Sequence, residues 1–418
     1  MVLLDGCEMN ILNVLIFHGL SKPICGGQSR YKNLTEQLEK RGNKVFVLES
    51  VDFLAKEDSG IAEVKTYKDL RFLGRTLCVF RDFNPSFVRE IDRILREKHI
   101  DLALISYPSG APVVKLLALF HGKRIPLVYD AHNVESEFIT ETFAEDVRYS
   151  RLERRILPVY IRFFERFVCK YVADYITSVS PRDKDMFLRR FEVDSRRVFV
   201  IPTGARIPEL PDATAKQETR RRLGINSDDF VVVFHGIYSH PANKEAFDSI
   251  VDFIAPRFRD RSKRVLFVLC GTSVPRFHLD NVVSLGFVED LDGLLSIADL
   301  AIAPIKHGAG VKVKIFDYLS VGLPLIATRK AAEGIGVVDG EHALIVDDVD
   351  DKFIDAIEFL ANNEKERRRL GVNARNLAVQ EYDWERIGAK MDAALRDIVR
   401  VSKTALNSGS GNDAVRNR

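Results

Sequence analysis

The chain has 418 residues, too many for one ordinary core, so two domains are expected. Lysine plus arginine (62) nearly cancel aspartate plus glutamate (60); the net +2 gives no whole-chain case for a nucleic-acid partner, and 46% hydrophobic residues suit a globular protein. Five cysteines, Cys7, Cys25, Cys78, Cys169 and Cys270, are scattered without CxxC spacing, which points to buried free thiols in a reducing, cytoplasmic setting and away from a disulfide framework or a zinc site.

In chain order, the apolar run ILNVLIF at 11–17 is too short to span a bilayer and follows Asp5 and Glu8, so it reads as a first strand and not a signal peptide. Strands are predicted at 13–18, 44–48, 101–106, 126–130, 175–179 and 197–201. The alternation halts at 202–224, where three prolines and small polar residues mark a linker. A second set follows at 230–235, 264–269, 282–286, 299–303, 323–327 and 343–346. Runs apolar on both faces, separated by helical patterns, predict parallel sheets covered by helices: two doubly wound α/β domains. A last helix is expected over about 382–402, and the remainder, 403–418, reads as a disordered tail.

In such sheets ligands sit at the carboxyl ends of strands. Two glycine clusters occur there. In CGGQSRYKNL, Gly26 and Gly27 open a helix after the first strand; HGAGVKVKIFDYLSVGLP, residues 307–324, places Gly310, Val311, Lys312, Lys314 and Asp317 at the mouth of a short helix. Backbone amides at such junctions favour an anion. Neither cluster is a Walker A loop or a GxGxxG fingerprint, and taken singly each would also serve as a plain tight turn. No DxD run or ligand-like His/Cys cluster is present, so no metal or other cofactor is expected.

These segments, in their order and spacing, resemble the retaining glycosyltransferases of family four. The resemblance covers about residues 11–400 and rests on GGQSRYKNLTEQLEKRGNKVFVL, YDAHNVES, VSPRDKDMF, VIPTGA, FHGIYSHPANKEAFDSI, GFVEDL and APIKHGAGVKVKIFDYLSVGLPLIAT followed by AAEGI. It implies the GT-B fold, two Rossmann-like domains facing a cleft. The acceptor would bind residues 11–205, the nucleotide-diphosphate sugar 206–385, and helix 386–402 would cross back to the first domain. The acceptor would be a glycan or a lipid-linked sugar, in polysaccharide or glycolipid synthesis. His132 would face the transferred sugar with Glu135 beside the acceptor. Gly310 and Val311 would cradle the diphosphate, Lys312 or Lys314 would neutralise the leaving group, and Asp317 would accept from the ribose. Gly236, Lys244, Gly271, Phe287 and Glu333 complete the implied donor site. The chain departs from the family pattern: Ala309 stands where the first of two glutamates is usual, Asp317 stands at the second, and of the usual Arg–Lys pair beyond the first donor-domain strand only Lys244 is present. These departures leave a non-catalytic sugar-nucleotide-binding protein of the same fold as the alternative. His18 is a further candidate, whereas His235, His240, His278 and His307 read as structural or solvated.

One stretch stands outside that scheme. Residues 148–170, RYSRLERRILPVYIRFFERFVCK, hold seven basic residues against Glu153 and Glu165, with aromatics interleaved, a local net of +5. It reads either as a core helix with a solvated basic face or as a peripheral surface for anionic lipid at the inner face of the cell membrane; Pro158 argues against one continuous helix.

Overall fold

A computed structural model describes residues 8–16, 26–50, 63–69, 71–72, 75–76, 82–143, 151–259 and 264–413. Within these bounds the chain divides into two compact units. One comprises residues up to Thr203 together with the segment from Trp384 onward; the other is Gly204–Asp383.

The first unit is built on strands β1 (Asn10–Val14), β2 (Lys44–Ser50), β3 (Val64–Tyr67), β6 (Leu102–Ile105), β7 (Leu127–Ala131), β8 (Tyr175–Ser178) and β9 (Val198–Val200). Their order is β3-β2-β1-β6-β7-β8-β9, and each pair is parallel. A separate hairpin pairs β4 (Arg71–Phe72) with β5 (Arg75–Thr76). The double-sided apolar runs explain the layers. In β1, Leu12 and Val14 join one core and Ile11 the other; in β2, Phe46 and Leu48 face the first and Val45 and Val47 the second. A strand whose alternate residues feed two cores has to be covered by helices on both faces.

One of those covers comes from the far end of the chain. The helix Trp384–Asp413 places Trp384, Ile387, Met391, Leu395 and Ile398 against Ile11, Leu15, Leu34 and Leu38. Gly388 allows the approach: a Cβ there would lie 2.4 Å from the Cβ of Gln37 on the helix Gly26–Lys40. The helix continues through 403–413, part of the stretch read as a disordered tail, because elongating an established helix costs far less than nucleating one. Residues 414–418 lie outside the described set.

The second unit carries β10 (Phe230–His235), β11 (Val265–Cys270), β12 (Phe277–Leu279), β13 (Val282–Gly286), β14 (Leu300–Ala303), β15 (Leu325–Thr328) and β16 (Leu344–Val346). The order is β12-β13-β11-β10-β14-β15-β16, parallel except for the edge strand β12. Along β11, Val265, Phe267 and Leu269 enter one core and Leu266, Val268 and Cys270 the other. In both sheets the strand order reverses beside the first strand, between β1 and β6 and between β10 and β14, which is where open α/β sheets bind ligands.

Several expectations require correction. The first strand begins at Asn10 and ends at Val14, earlier than 13–18, and Phe17 to Cys25, with His18, lie outside the described residues. The linker is shorter than 202–224, since Asp212 caps a helix at Ala213–Arg222 by accepting from the Ala215 amide at 2.8 Å. Pro158 does not divide the basic segment: the helix Arg151–Phe167 runs through it. Cys169 and Cys270 are free and buried; Cys7, Cys25 and Cys78 are outside the described residues.

Candidate active site

Two groups of side chains collect at the carboxyl ends of the sheets, one in each unit. In the second unit the group is organised by space that glycines leave. Gly236 follows β10 and Gly271 follows β11, with φ +137° at Gly271. A Cβ at Gly271 would lie 2.0 Å from the Gly236 carbonyl oxygen, and one at Gly236 would lie 2.9 Å from Lys314 Nζ. The two β-strand ends therefore approach each other at backbone distance, and the room above Gly236 is taken by the lysine. Gly271→Ala is expected to lower stability by about 1–3 kcal/mol, the usual scale of overpacking plus left-handed strain, seen as an earlier urea midpoint at constant m.

Lys314 opens the helix Lys314–Ser320 and is buried. Its Nζ donates to Asn243 Oδ1 at 2.6 Å and sits 4.1 Å from the centroid of the Phe234 ring. Burial, and secondarily Lys312, push its pKa down to about 7, against the upward pull of Asp317 and Cys270. An ammonium so placed is poorly compensated and suits an incoming anion. Lys312 differs: its Nζ donates to the carbonyls of Gly308, Ala309 and Gly310, at 2.5, 3.1 and 2.8 Å, and so fixes the loop. Gly308 and Gly310, at φ +95° and +72°, give that loop its left-handed turns.

Asp317, one turn further, faces His235 rather than Lys314's amide partner: its Oδ2 lies 3.4 Å from His235 Nε2. Burial, then Asp292, push its pKa up to about 7. The side chain nevertheless keeps 35% of its surface exposed, so water offsets part of that push, and the direction is what matters. Burial and Lys314 hold His235 down at about 3, so its imidazole is neutral at physiological pH. It packs edge-on to Tyr318, whose hydroxyl accepts from the His235 amide at 3.2 Å.

The other donor-side candidates belong to the same unit, Phe287, Glu333 and Val311 in loops that follow strands and Lys244 in the helix Pro241–Ser249. Phe287, just past β13, is 59% exposed. Glu333, in the loop after β15, accepts from Lys330 Nζ at 2.9 Å. Val311 is half-buried on the glycine loop. Lys244 points outward and pairs with Asp248 at 2.7 Å, while its neighbour Asn243 is the residue that reaches Lys314.

In the first unit, His132 follows β7 directly. Its Nδ1 lies 2.7 Å from the Tyr31 hydroxyl and its Nε2 lies 3.6 Å from Glu135 Oε1. The Tyr31 hydroxyl also donates to the Ser106 carbonyl at 3.2 Å, so its one proton and the imidazole tautomer are set together. Glu135 opens the helix Glu135–Phe143 and is buried. Burial, then the Glu165 carboxylate, push Glu135 well above the usual carboxylate range. Glu165 closes that helix start by accepting from the amides of Glu135 and Ser136 at 2.9 and 2.8 Å. Gly26 and Gly27 open the helix that carries Tyr31 and Arg30, and Arg30 forms a buried ion pair with Asp130 at 2.9 Å.

Tyr31, Glu165 and Asn243 thus join the candidate residues without having been assigned a site role in the sequence, and His235, read there as structural or solvated, has its Nε2 buried beside Asp317. Their signal is tertiary: the Asn243–Lys314 bond spans 71 residues and Tyr31–His132 spans 101.

Residues 24–207 match the family described as Glycosyltransferase Family 4, and residues 229–363 match Glycosyl transferases group 1. A curated relative, the MMP alpha-(1->4)-mannosyltransferase of Mycolicibacterium hassiacum, is 23% identical over 91% of this chain and 97% of its own length. The D-inositol 3-phosphate glycosyltransferase of Corynebacterium diphtheriae is 24% identical over 66% of this chain and 67% of its own. Among solved structures, sucrose-phosphate synthase from Thermosynechococcus elongatus superposes with a TM-score of 0.72 at 17% identity, covering 94% of this chain and 100% of that one. Anabaena HepE in complex with UDP-glucose superposes with a TM-score of 0.67 at 15% identity, covering 93% and 100%. With both family matches in chain order on two Rossmann-like units, the chain belongs to the family 4, group 1 glycosyltransferases of GT-B fold.

Proposed function

We propose that this glycosyltransferase takes its sugar from a nucleoside-diphosphate sugar, binds that donor on the second unit, and transfers the sugar with retention of configuration to a hydroxyl of a glycan or lipid-linked acceptor bound by the first. The observation that carries the donor reading is Lys314: a buried, poorly compensated ammonium beside a glycine loop at the strand-order reversal of the second sheet. A diphosphate supplies the missing negative charge. HepE, a structural neighbour, has been solved with UDP and with UDP-glucose, which supports a diphosphate donor of this kind.

In the reaction the bond between the anomeric carbon and the diphosphate oxygen breaks, and a bond from the acceptor hydroxyl oxygen forms at the same carbon. The hydroxyl proton leaves with the departing phosphate or to solvent. Negative charge grows on the leaving oxygen, and an ammonium already in place stabilises it without reorganisation. Loop amides at Gly310 and Val311 would hold the same phosphates, and Asp317 would accept from the ribose hydroxyls. Positive charge for the leaving group then comes from the protein itself, so the reading requires no metal cofactor. The acceptor side would use His132 and Glu135.

A panel of nucleoside-diphosphate sugars tested by thermal shift checks this. The correct donor at 100 times its Kd stabilises the fold by about 2.7 kcal/mol, several degrees in Tm for a domain of this size. Proton NMR of the glycosylated product reports the anomeric configuration. A panel with no stabilising member, or an inverted product, overturns the corresponding part of the reading.

A further inference from the structure

We infer that the helix Arg151–Phe167 and the turn that follows it form a docking surface for an anionic phospholipid bilayer. This rests on side-chain exposure and charge alone and is independent of the donor and acceptor assignments.

The helix is amphipathic in an unusual sense. Its buried side, Ile161, Glu165, Val168 and Cys169, faces the first unit's core. A second apolar row faces water. Leu152, Ile156, Val159, Phe163 and Phe167 recur at steps of four and three residues, the spacing of a single helix face, and all are exposed, Phe163 at 70%. Tyr171, in the succeeding turn, is 73% exposed. A soluble surface scatters such residues singly; a continuous row marks a face that something apolar covers.

The charges say what covers it. Arg151, Arg155, Arg162 and Arg166 each precede by one residue an exposed member of the row, so they form a parallel row about 100° around the helix. Arg166 and Lys170 pair with Glu192, at 3.2 and 2.5 Å, whereas among the described residues Arg151, Arg155 and Arg162 form no ion pair. The one carboxylate of the helix whose side chain is described, Glu165, is buried and committed to backbone amides. An apolar row bordered by arginines, three of them in no ion pair among the described residues, matches the boundary between acyl chains and acidic headgroups, where guanidinium groups meet phosphates while aromatic rings enter the hydrocarbon. The neighbouring helix Ala111–Phe120, packed against Val168–Val172, adds exposed Leu116, Leu119 and Phe120. No helix among the described residues is long and apolar enough to cross a membrane, so the contact is peripheral.

Co-sedimentation of the full chain with phosphatidylcholine vesicles, with and without phosphatidylglycerol, tests this. Binding is expected to rise at least tenfold with the anionic lipid and to fall steeply with salt. Arg155→Glu/Arg162→Glu and Phe163→Ser/Phe167→Ser should each lower it at least tenfold. Both pairs lie on the solvent side, so their thermal melts and their donor hydrolysis should match the parent, which separates loss of docking from loss of fold. Phe163→Trp should show a blue-shifted emission on adding vesicles, over the buried Trp384 background. Failure of the parent chain to bind anionic vesicles overturns the inference. So does binding that neither double variant weakens, and so does a concentration-dependent dimer that dissociates in Phe163→Ser/Phe167→Ser, because a second copy would then be what covers the row.

Discussion

Lys314→Ala is expected to lower kcat/KM for the donor by roughly 10²–10³, the cost of deleting one preorganised donor to a developing charge, while weakening the free nucleoside diphosphate by much less. The asymmetry follows from when the charge appears. On the proposed donor reading, a bound diphosphate would already carry charge that the loop amides share, whereas the extra charge of the leaving group would exist only as the sugar bond breaks. Asp317→Ala should behave differently: if it binds ribose in ground and transition states alike, donor KM rises about ten- to a hundredfold with a smaller change in kcat. The pH dependence follows from the same burial. Above about pH 7 the free protein loses the Lys314 proton, so kcat/KM should fall by up to tenfold per pH unit there. A bound diphosphate raises the lysine's pKa, so the alkaline limb of kcat should lie at higher pH than that of kcat/KM. The stability linkage has opposite signs in two windows. Asp317, raised in the fold, contributes stability that is lost as pH rises from about 4 to about 7; Lys314, lowered, contributes stability that is lost as pH falls from about 10.5 to about 7. This pair therefore stabilises the ligand-free fold least near neutrality, where a diphosphate would bind. Wild-type kcat/KM in Lys314→Ala would mean that the glycine-lysine stretch is a structural turn and that the donor lies elsewhere.

The sequence made the two sheets legible wherever strands are buried on both faces. The run at 230–235 coincides with β10, and those at 264–269 and 299–303 fall within one residue of β11 and β14, because a continuous apolar run leaves little freedom in placing a central parallel strand. Two edge strands of the large sheets escaped, whereas β9 and β16 fall within the runs at 197–201 and 343–346. β3, with Lys65 and Thr66 half-exposed, and the antiparallel β12, with His278 and Leu279 exposed, present no such run. At β1 the buried run continues to Ile16 beyond the last paired residue, so hydrophobicity alone could not fix the ends. The site divides in the same way. Glycine clusters and lysines stand out in one dimension because each marks a local need, a left-handed turn or a charge. Asn243 and Tyr31 do not, since an asparagine in a helix or a tyrosine in a core acquires its role from a partner far along the chain. Glu165 counted in the sequence only as a charge opposing a basic segment, yet it is the buried acceptor that holds the helix carrying Glu135. The same segment's exposed apolar row was equally hidden, because a helical period shows that a face exists without showing which side meets the core.

His132→Ala is expected to reduce kcat by about 10² or more while leaving donor affinity within about twofold, on the proposal that the imidazole serves the reacting sugar and not the diphosphate. The structure gives that ring unusual support for a half-buried histidine. Tyr31 fixes Nδ1 at 2.7 Å from one side, and on the other Nε2 meets Glu135 at 3.6 Å. Glu135 is itself held well above the ordinary carboxylate range by burial and by Glu165. An ordinary buried histidine needs one backbone acceptor to be satisfied; this one is oriented through Nδ1 by a side-chain hydroxyl, with a carboxyl group within ion-pair distance of Nε2. A purely structural role makes a different forecast. Removing the ring would then leave a cavity and cost the Tyr31 hydroxyl its His132 partner while its bond to the Ser106 carbonyl remains, so Tm would fall by several degrees and kcat of the remaining folded enzyme would not change. Tyr31→Phe separates the two further. It keeps the ring and the packing but releases the imidazole, so a positioning contact should cost kcat with little effect on donor KM, and by less than His132→Ala does. Calorimetric titration of donor into both variants, alongside single-turnover rates, supplies the comparison. Unchanged turnover in His132→Ala removes the histidine from the active site and leaves the acceptor side of the proposal without its principal residue.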